Sequence, residues 1–357
     1  MRPPSSAGGP GAGPTRARWT VDQAWAWWEQ QPWTVGVNFT PSTACNQLEM
    51  WQAETFDPST IERELRWAAD LGFNTLRTYL HDLLWAEDPD GFAGRVDTFL
   101  GLADAHGARA ILVLFDDVWN VEFGLGPQPE PYPGRHNSRW VQGPGLQVLE
   151  SYDHHRARLE TYVCGLIGAF AEDGRVLAWD LYNEPGGVAA PSGRPVDARC
   201  LPLLADVFDW ARSVDPRQPL TSGTFKIAHA QDPRIRAMQL AASDIVSFHH
   251  YGGAEDLERV IESLARQTGR PLLCTEYLAR TEGSRFETHL PVFQRHRVGA
   301  VSWGLVAGRT QTQYPWSSWL DAEPLSEPDV WFHDILRPDG TPYNQEETAF
   351  LRTLLRP

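Results

Sequence analysis

The sequence predicts an α/β protein folded as a single domain, a (β/α)8 TIM barrel with extended βα loops, and three observations lead there. From Trp33 onward a short β-rich apolar run, a loop and an amphipathic helix recur, in units of roughly 25 to 40 residues, which implies parallel strands. Eight such runs can be found, the number that closes a barrel. The rival architecture, a doubly wound open sheet, calls for a Gly-x-Gly-x-x-Gly loop after an early strand, and the chain has none. A length of 357 residues also suits one barrel, since such barrels commonly exceed about 250 residues as a single unit.

Residues 1–18 are rich in Pro, Gly, Ser and Ala and are predicted to be a disordered tail, leaving 19–357 for the barrel. The first strand is Thr34 to Phe39. Its helix opens with Asp57 as N-cap and Pro58 at the first helical position. Ile61, Leu65, Ala68 and Ala69 mark the apolar face, and Gly72 ends the helix. The second strand, Phe73 to Leu80, follows at once. Further runs are Ala110 to Phe115, Val176 to Tyr182, Pro219 to Thr224, Asp244 to His249, Pro271 to Thr275 and Ala300 to Leu305. Between the sixth and seventh, Leu257, Val260, Ile261 and Leu264 fall at helical spacing and Gly269 closes the helix.

Three loops exceed what a minimal barrel needs, and each follows a strand, where barrel active sites lie. They are Thr40 to Phe56, with Asn46, Glu49 and Trp51; Asp116 to Tyr152, crowded with Pro, Gly and aromatics; and Arg309 to Leu336, with Trp316, Trp319 and Trp331. Long loops in compact domains are usually functional or disordered, and this aromatic content favours ordered walls around a cleft. The 16 tryptophans divide on this reading between core packing and cleft lining, where indole faces stack on the apolar faces of sugar rings.

A formal net charge of −15 argues against nucleic acid or an anionic membrane as partner, because both need a basic face. No stretch approaches a membrane span. Cys45, Cys164, Cys200 and Cys274 form no Cys-x-x-Cys pair, so neither a metal site nor a disulfide framework is indicated. With free cysteines and no apolar export segment at the N-terminus, a cytoplasmic protein is expected. Oligomeric state stays open, although an exposed aromatic loop could complete a neighbouring copy's cleft in a homo-oligomer.

Two acidic residues sit at strand ends: Glu184 in Trp179-Asp180-Leu181-Tyr182-Asn183-Glu184-Pro185, and Glu276 in Thr275-Glu276-Tyr277. After the fourth and seventh strands of a barrel they face each other across its C-terminal mouth. Glycoside hydrolysis needs such a pair, one carboxylic acid to protonate the leaving oxygen and one carboxylate to attack the anomeric carbon. Either alone could be an ordinary strand-end carboxylate held by an arginine.

On these motifs the chain resembles the clan A glycoside hydrolases, and within them family 5, the cellulase and mannanase group. The resemblance runs from Trp33 to about Leu355. It implies Glu184 as acid/base and Glu276 as nucleophile of a retaining double displacement, without metal or organic cofactor. It further implies that Arg77, closing the second strand, holds Glu276 ionised. Asn183 would bond the sugar 2-hydroxyl. His249 and Tyr251, in His249-His250-Tyr251, would contact the acid/base or substrate and donate to Glu276 respectively, and Trp303 would floor the sugar site. The family's histidine after the third strand is replaced by Asp116-Asp117-Val118-Trp119, so Asp116, Asp117 and Trp119 are expected to take over contacts there.

The strings Asn46-Gln47-Leu48-Glu49-Met50-Trp51 and Tyr79 to Trp85 are similar to an intracellular branch of the family that includes β-mannosidases acting on Man-β-1,4-GlcNAc. That likeness implies exo-action on small oligosaccharides, with β-glucosidase, β-xylosidase or endo-glycanase action as alternatives. Two readings of other classes compete. A non-catalytic carbohydrate-binding barrel should lack one carboxylate, and both are present. A sugar-phosphate isomerase or aldolase needs a phosphate loop or a Schiff-base lysine, whereas Lys226, the only lysine, lies just past the fifth strand.

Overall fold

In the computed structural model, residues 16–190, 194–195, 197–225, 232–321 and 323–356 are described. Eight parallel strands occupy the predicted positions: β1 (Val35–Asn38), β2 (Thr75–Tyr79), β3 (Arg109–Val113), β4 (Val176–Asp180), β5 (Leu220–Thr221), β6 (Val246–His249), β7 (Leu272–Glu276) and β8 (Gly299–Trp303). They pair in the order β5-β4-β3-β2-β1-β8-β7-β6. A parallel bridge from Thr224 to Phe248 and a bond from the Thr224 N–H to the Ser247 carbonyl (3.1 Å) join β5 to β6. The sheet is therefore a closed (β/α)8 barrel.

The strands are short and buried almost throughout because helices cover their outer faces and side chains fill the bore. Ile111, Ala178, Ile245, Leu273 and Val301 pack inside the barrel with Ala24 and Trp28. These last two belong to a helix, Val21–Trp28, started by a capping box between Thr20 and Gln23, which plugs the N-terminal end. The tail expected over 1–18 lies mostly outside the described residues. Arg16 and Arg18 are within them, and both are fastened: Arg16 pairs with buried Asp244, and Arg18 donates to the Ser243 carbonyl at 2.8 Å.

The helix after β1, Pro58–Leu71, has the expected signals. Asp57 accepts from the Thr60 N–H, and Gly72 ends the helix at φ 96°, a conformation glycine adopts without strain. The loops after β3 and β4 join through a three-stranded sheet of Trp119–Asn120, Val188–Ala190 and Arg194–Pro195. Among the described residues no helix is long and apolar enough to cross a membrane. Lys226 lies outside them.

Candidate active site

The C-terminal ends of β2, β4, β6 and β7 deliver a ring of charged and hydroxylic groups to one point. Glu276 is the last residue of β7, where pairing with β6 slips between Cys274 and Glu276. Such an irregularity turns a strand-end side chain inward. Its Oε1 accepts from Arg77 Nη1 (2.9 Å) and the Tyr79 hydroxyl (2.8 Å), and its Oε2 accepts from the Tyr251 hydroxyl (2.7 Å). Burial alone pushes the Glu276 carboxyl upward. His249, Arg77 and the hydroxyls of Tyr251 and Tyr79 together outweigh it, so the carboxyl is held below its ordinary range. Burial also depresses His249 to about 4, so at neutral pH this imidazole is uncharged and Arg77 is the cation that keeps Glu276 ionised.

Arg77 is fully buried and every face of its guanidinium is occupied. Nε and Nη2 donate to Asp180 Oδ2 (3.1 and 2.9 Å), Nη1 to Asn38 Oδ1 (2.7 Å), and Nη2 to Asn183 Oδ1 (2.5 Å). The fork thus locks the ends of β1, β2, β4 and β7 in one arrangement.

Glu184 stands four residues beyond β4 with φ 44°, a left-handed conformation that few non-glycine residues adopt and that concentrates at functional sites. The turn beneath it is held by Asp117, which accepts from the Tyr182 hydroxyl (2.7 Å) and the Gly186 N–H (2.8 Å). Burial, then the nearby charge of Glu276, raises the Glu184 carboxyl well above its usual range. His249 Nδ1 lies 2.5 Å from Glu184 Oε1 and 3.4 Å from Glu276 Oε2. A Cβ at Gly223 would come within 2.9 Å of His249 Nε2, so glycine there leaves room for the imidazole. A protonated carboxyl thus faces an ionised one, the division of labour that acid-assisted displacement requires.

A cavity of about 330 Å³ opens over this pair. Trp303 forms part of its wall, with the rings of Tyr79 and Trp140 edge-on to it at 5.8 and 5.7 Å. Asp116 lies in the wall, where its Oδ1 accepts from Asn183 Nδ2 (2.9 Å) and its Oδ2 from Trp140 Nε1 (2.7 Å). Trp119 also lines the cavity and stacks on Trp319, 5.9 Å between centroids and 19° between planes.

Four residues expected at the cleft are placed elsewhere. Trp51 is in the core, packed against Phe56, Phe92 and Phe99, with its Nε1 bonded to the Tyr79 carbonyl. Asn46 caps the short helix Gln47–Trp51, and Glu49 accepts from the Cys45 N–H and pairs with Arg309 (3.1 Å). Asp117 is wholly buried behind the wall. Trp316, in a loop expected to wall the cleft, does line it, whereas Tyr79, Asp180, Trp140, Asn137 and His333 belong to the site or its walls and were not singled out for it. Tyr79 had a signal, since it lies two residues from Arg77 on the same face of β2.

Glu184, His249 and Glu276 present ligand atoms within 4.8 Å of one another, the one such group found among the described residues. Glu276 is already engaged by a cation and two hydroxyls, and the positive charge of Arg77 opposes a second cation. The arrangement suits acid–base chemistry better than metal ligation.

The family model described as cellulase (glycosyl hydrolase family 5) matches residues 35–308. The chain belongs to glycosyl hydrolase family 5. It is therefore a glycoside hydrolase, and the site just described lies at the mouth of a family 5 barrel. No curated protein sequence matches this family 5 chain. Solved structures share its fold at low identity. A GH5_18 variant from Streptomyces cattleya in complex with Manβ1-4GlcNAc superposes with a TM-score of 0.60 at 15% identity, covering 90% of this chain and 80% of that one. An exo-β-1,4-mannosidase from Opitutaceae bacterium strain TAV5 gives 0.58 at 18% identity, covering 90% and 60%. An endo-1,4-β-mannanase from Rhizomucor miehei gives 0.55 at 13% identity, covering 89% and 98%.

Proposed function

We propose that the protein is a retaining β-mannosidase that removes single sugars from the ends of small β-1,4-linked oligosaccharides such as Man-β-1,4-GlcNAc. The observation that carries retention is the proximity of the two carboxylates, each with an oxygen within 4.8 Å of the other's. Retaining enzymes hold the pair about 5 to 5.5 Å apart, whereas inverting ones need about 6.5 Å or more to admit a water. In the first step Glu276 attacks the anomeric carbon while Glu184 protonates the departing oxygen. In the second, Glu184 takes a proton from the water that hydrolyses the glycosyl ester. Esterification removes the negative charge of Glu276, which lowers the Glu184 carboxyl and suits it to act as base.

One structural neighbour in complex with Manβ1-4GlcNAc and another that is an exo-β-1,4-mannosidase support the choice of sugar. Exo-action is supported by the way the loops after β3 and β8 are tied together. The Asn137 N–H donates to the Thr310 carbonyl (2.9 Å), the Gly134 N–H to Gln311 Oε1 (2.8 Å) and the His136 N–H to Ser318 Oγ (3.0 Å). Trp319 Nε1 donates back to the His136 carbonyl (2.8 Å). The clasp residues Asn137 and Thr310 share a small space with the ends of β1 and β2, at Asn38 and Tyr79, and we read the clasp as walling off that side of the mouth. The test is a panel of p-nitrophenyl β-glycosides, Man-β-1,4-GlcNAc and mannotetraose. Release of mannose alone from mannotetraose is expected; mannobiose as an early product would assign endo-action, and faster hydrolysis of glucosides or xylosides would reassign the sugar.

Activity against pH should be bell-shaped. It requires Glu276 ionised and Glu184 protonated, so kcat/KM rises as pH passes the lowered Glu276 value and falls only well above the usual carboxylate range, at the raised Glu184 value. A profile already falling across the ordinary range of an exposed glutamate would contradict this assignment.

A further inference from the structure

We infer that Asn137 reads the free 4-hydroxyl of the terminal sugar, and so is the residue by which the cavity recognises a chain end. This rests on the exo reading above. Asn137 is 1% exposed and lines the catalytic cavity beside Trp140 and Trp303. Its Oδ1 is buried with no hydrogen-bond partner.

Gln142, Gln239 and Gln313 also leave an amide oxygen buried and unpaired, but none of them lines the catalytic cavity. Asn183 is bonded through both ends of its amide, as is Asn46. A buried amide oxygen facing a cavity without a partner is uncommon in a folded protein unless something else supplies one. The backbone adds to the point. Asn137 has φ 49°, and its N–H is committed to the Thr310 carbonyl in the clasp, so the side chain is held where it stands.

An amide offers both donors and an acceptor, the complement of a sugar hydroxyl, which donates once and accepts. With C1 placed against Glu276 and the ring beside Trp303, the proposed pose turns the edge of the sugar opposite C1 toward Asn137, which lines the same cavity. That edge carries the 4-hydroxyl. In a β-1,4 chain every inner residue has this oxygen in a glycosidic link, so only the terminal residue can present it as a hydroxyl. A contact with Asn137 thus distinguishes ends from interiors by chemistry as well as by space.

One rival must be separated from this. A space of about 20 Å³ behind Trp303 also touches Asn137, and it is enough for one water, which would satisfy the amide without any substrate. The experiment compares the best aryl β-glycoside with its 4-deoxy and 6-deoxy analogues, on the unmodified protein and on Asn137→Gly and Asn137→Ala. Glycine accepts the left-handed backbone, so that variant keeps the fold should alanine disturb it.

The unmodified protein should lose about 10- to 100-fold in kcat/KM on removal of the 4-hydroxyl, mainly through KM. Both variants should lose a similar factor on the parent substrate and almost nothing further on the 4-deoxy analogue. The 6-deoxy analogue should cost the same factor in all three proteins. Asn137→Asp, which keeps an acceptor oxygen, should restore part of the 4-hydroxyl discrimination. Losses that simply multiply for both analogues would assign Asn137 to a bound water and overturn the inference. Cleavage inside mannotetraose would overturn exo-action instead, while the deoxy comparison would still report on the contact.

Discussion

Glu276→Ala is expected to lower kcat on every β-glycoside by on the order of 10⁵-fold, the scale on which a hydrolase loses turnover with its covalent nucleophile. The side chain makes three hydrogen bonds, one of them an ion pair with Arg77, and removal leaves Arg77 with Asp180 as its remaining charged partner. The vacated space admits a small anion. Adding azide should therefore rescue turnover and give the α-glycosyl azide, because azide then attacks from the face the carboxylate used. Product stereochemistry read by NMR makes this test independent of rate. Undiminished hydrolysis without azide would end the assignment.

Glu184→Gln should act on a different step. The amide keeps the shape of the acid but cannot transfer a proton, so hydrolysis of natural disaccharides should drop by about 10²- to 10⁴-fold. A 2,4-dinitrophenyl leaving group needs no protonation, and its first step should persist. Glycosyl-enzyme then accumulates, visible as a burst of dinitrophenol and as a mass increase on the intact protein. Azide should now yield the β-glycosyl azide, since Glu276 still forms the ester. If the dinitrophenyl substrate slowed as much as the disaccharide, Glu184 would have some role other than proton donor.

Most of the barrel was legible because parallel strands covered on both sides read as continuous apolar runs, and Gly72 and Gly269 close their helices in left-handed turns. The Glu184 and Glu276 pair was legible for the same reason, as each follows directly from a strand. The loops were harder. Trp51 looked like a cleft aromatic because it sat in a loop after a strand, yet that loop folds a short helix down onto the helix Pro89–Ala105, and the indole fills the core. Asp117 looked equivalent to Asp116, but adjacent residues after a strand point opposite ways, and only Asp116 faces the cavity. Asn137 and His333 reach the site through contacts between distant loops, Asn137 with Thr310 and His333 with Tyr251, which no local periodicity encodes.

The clasp between the third and eighth loops has a kinetic consequence. On the exo-action proposed above, the cavity has one mouth and imposes an order of departure: the aglycone leaves first, and the hydrolysed sugar follows through the same opening. The liberated monosaccharide occupies the space the next substrate needs, so it acts as a competitive product inhibitor. On that reading, sliding along a polymer between successive cuts is unavailable, and each turnover ends in full dissociation. Under exo-action, joining these two loops would set both which bond is broken and how the catalyst is cleared for the next.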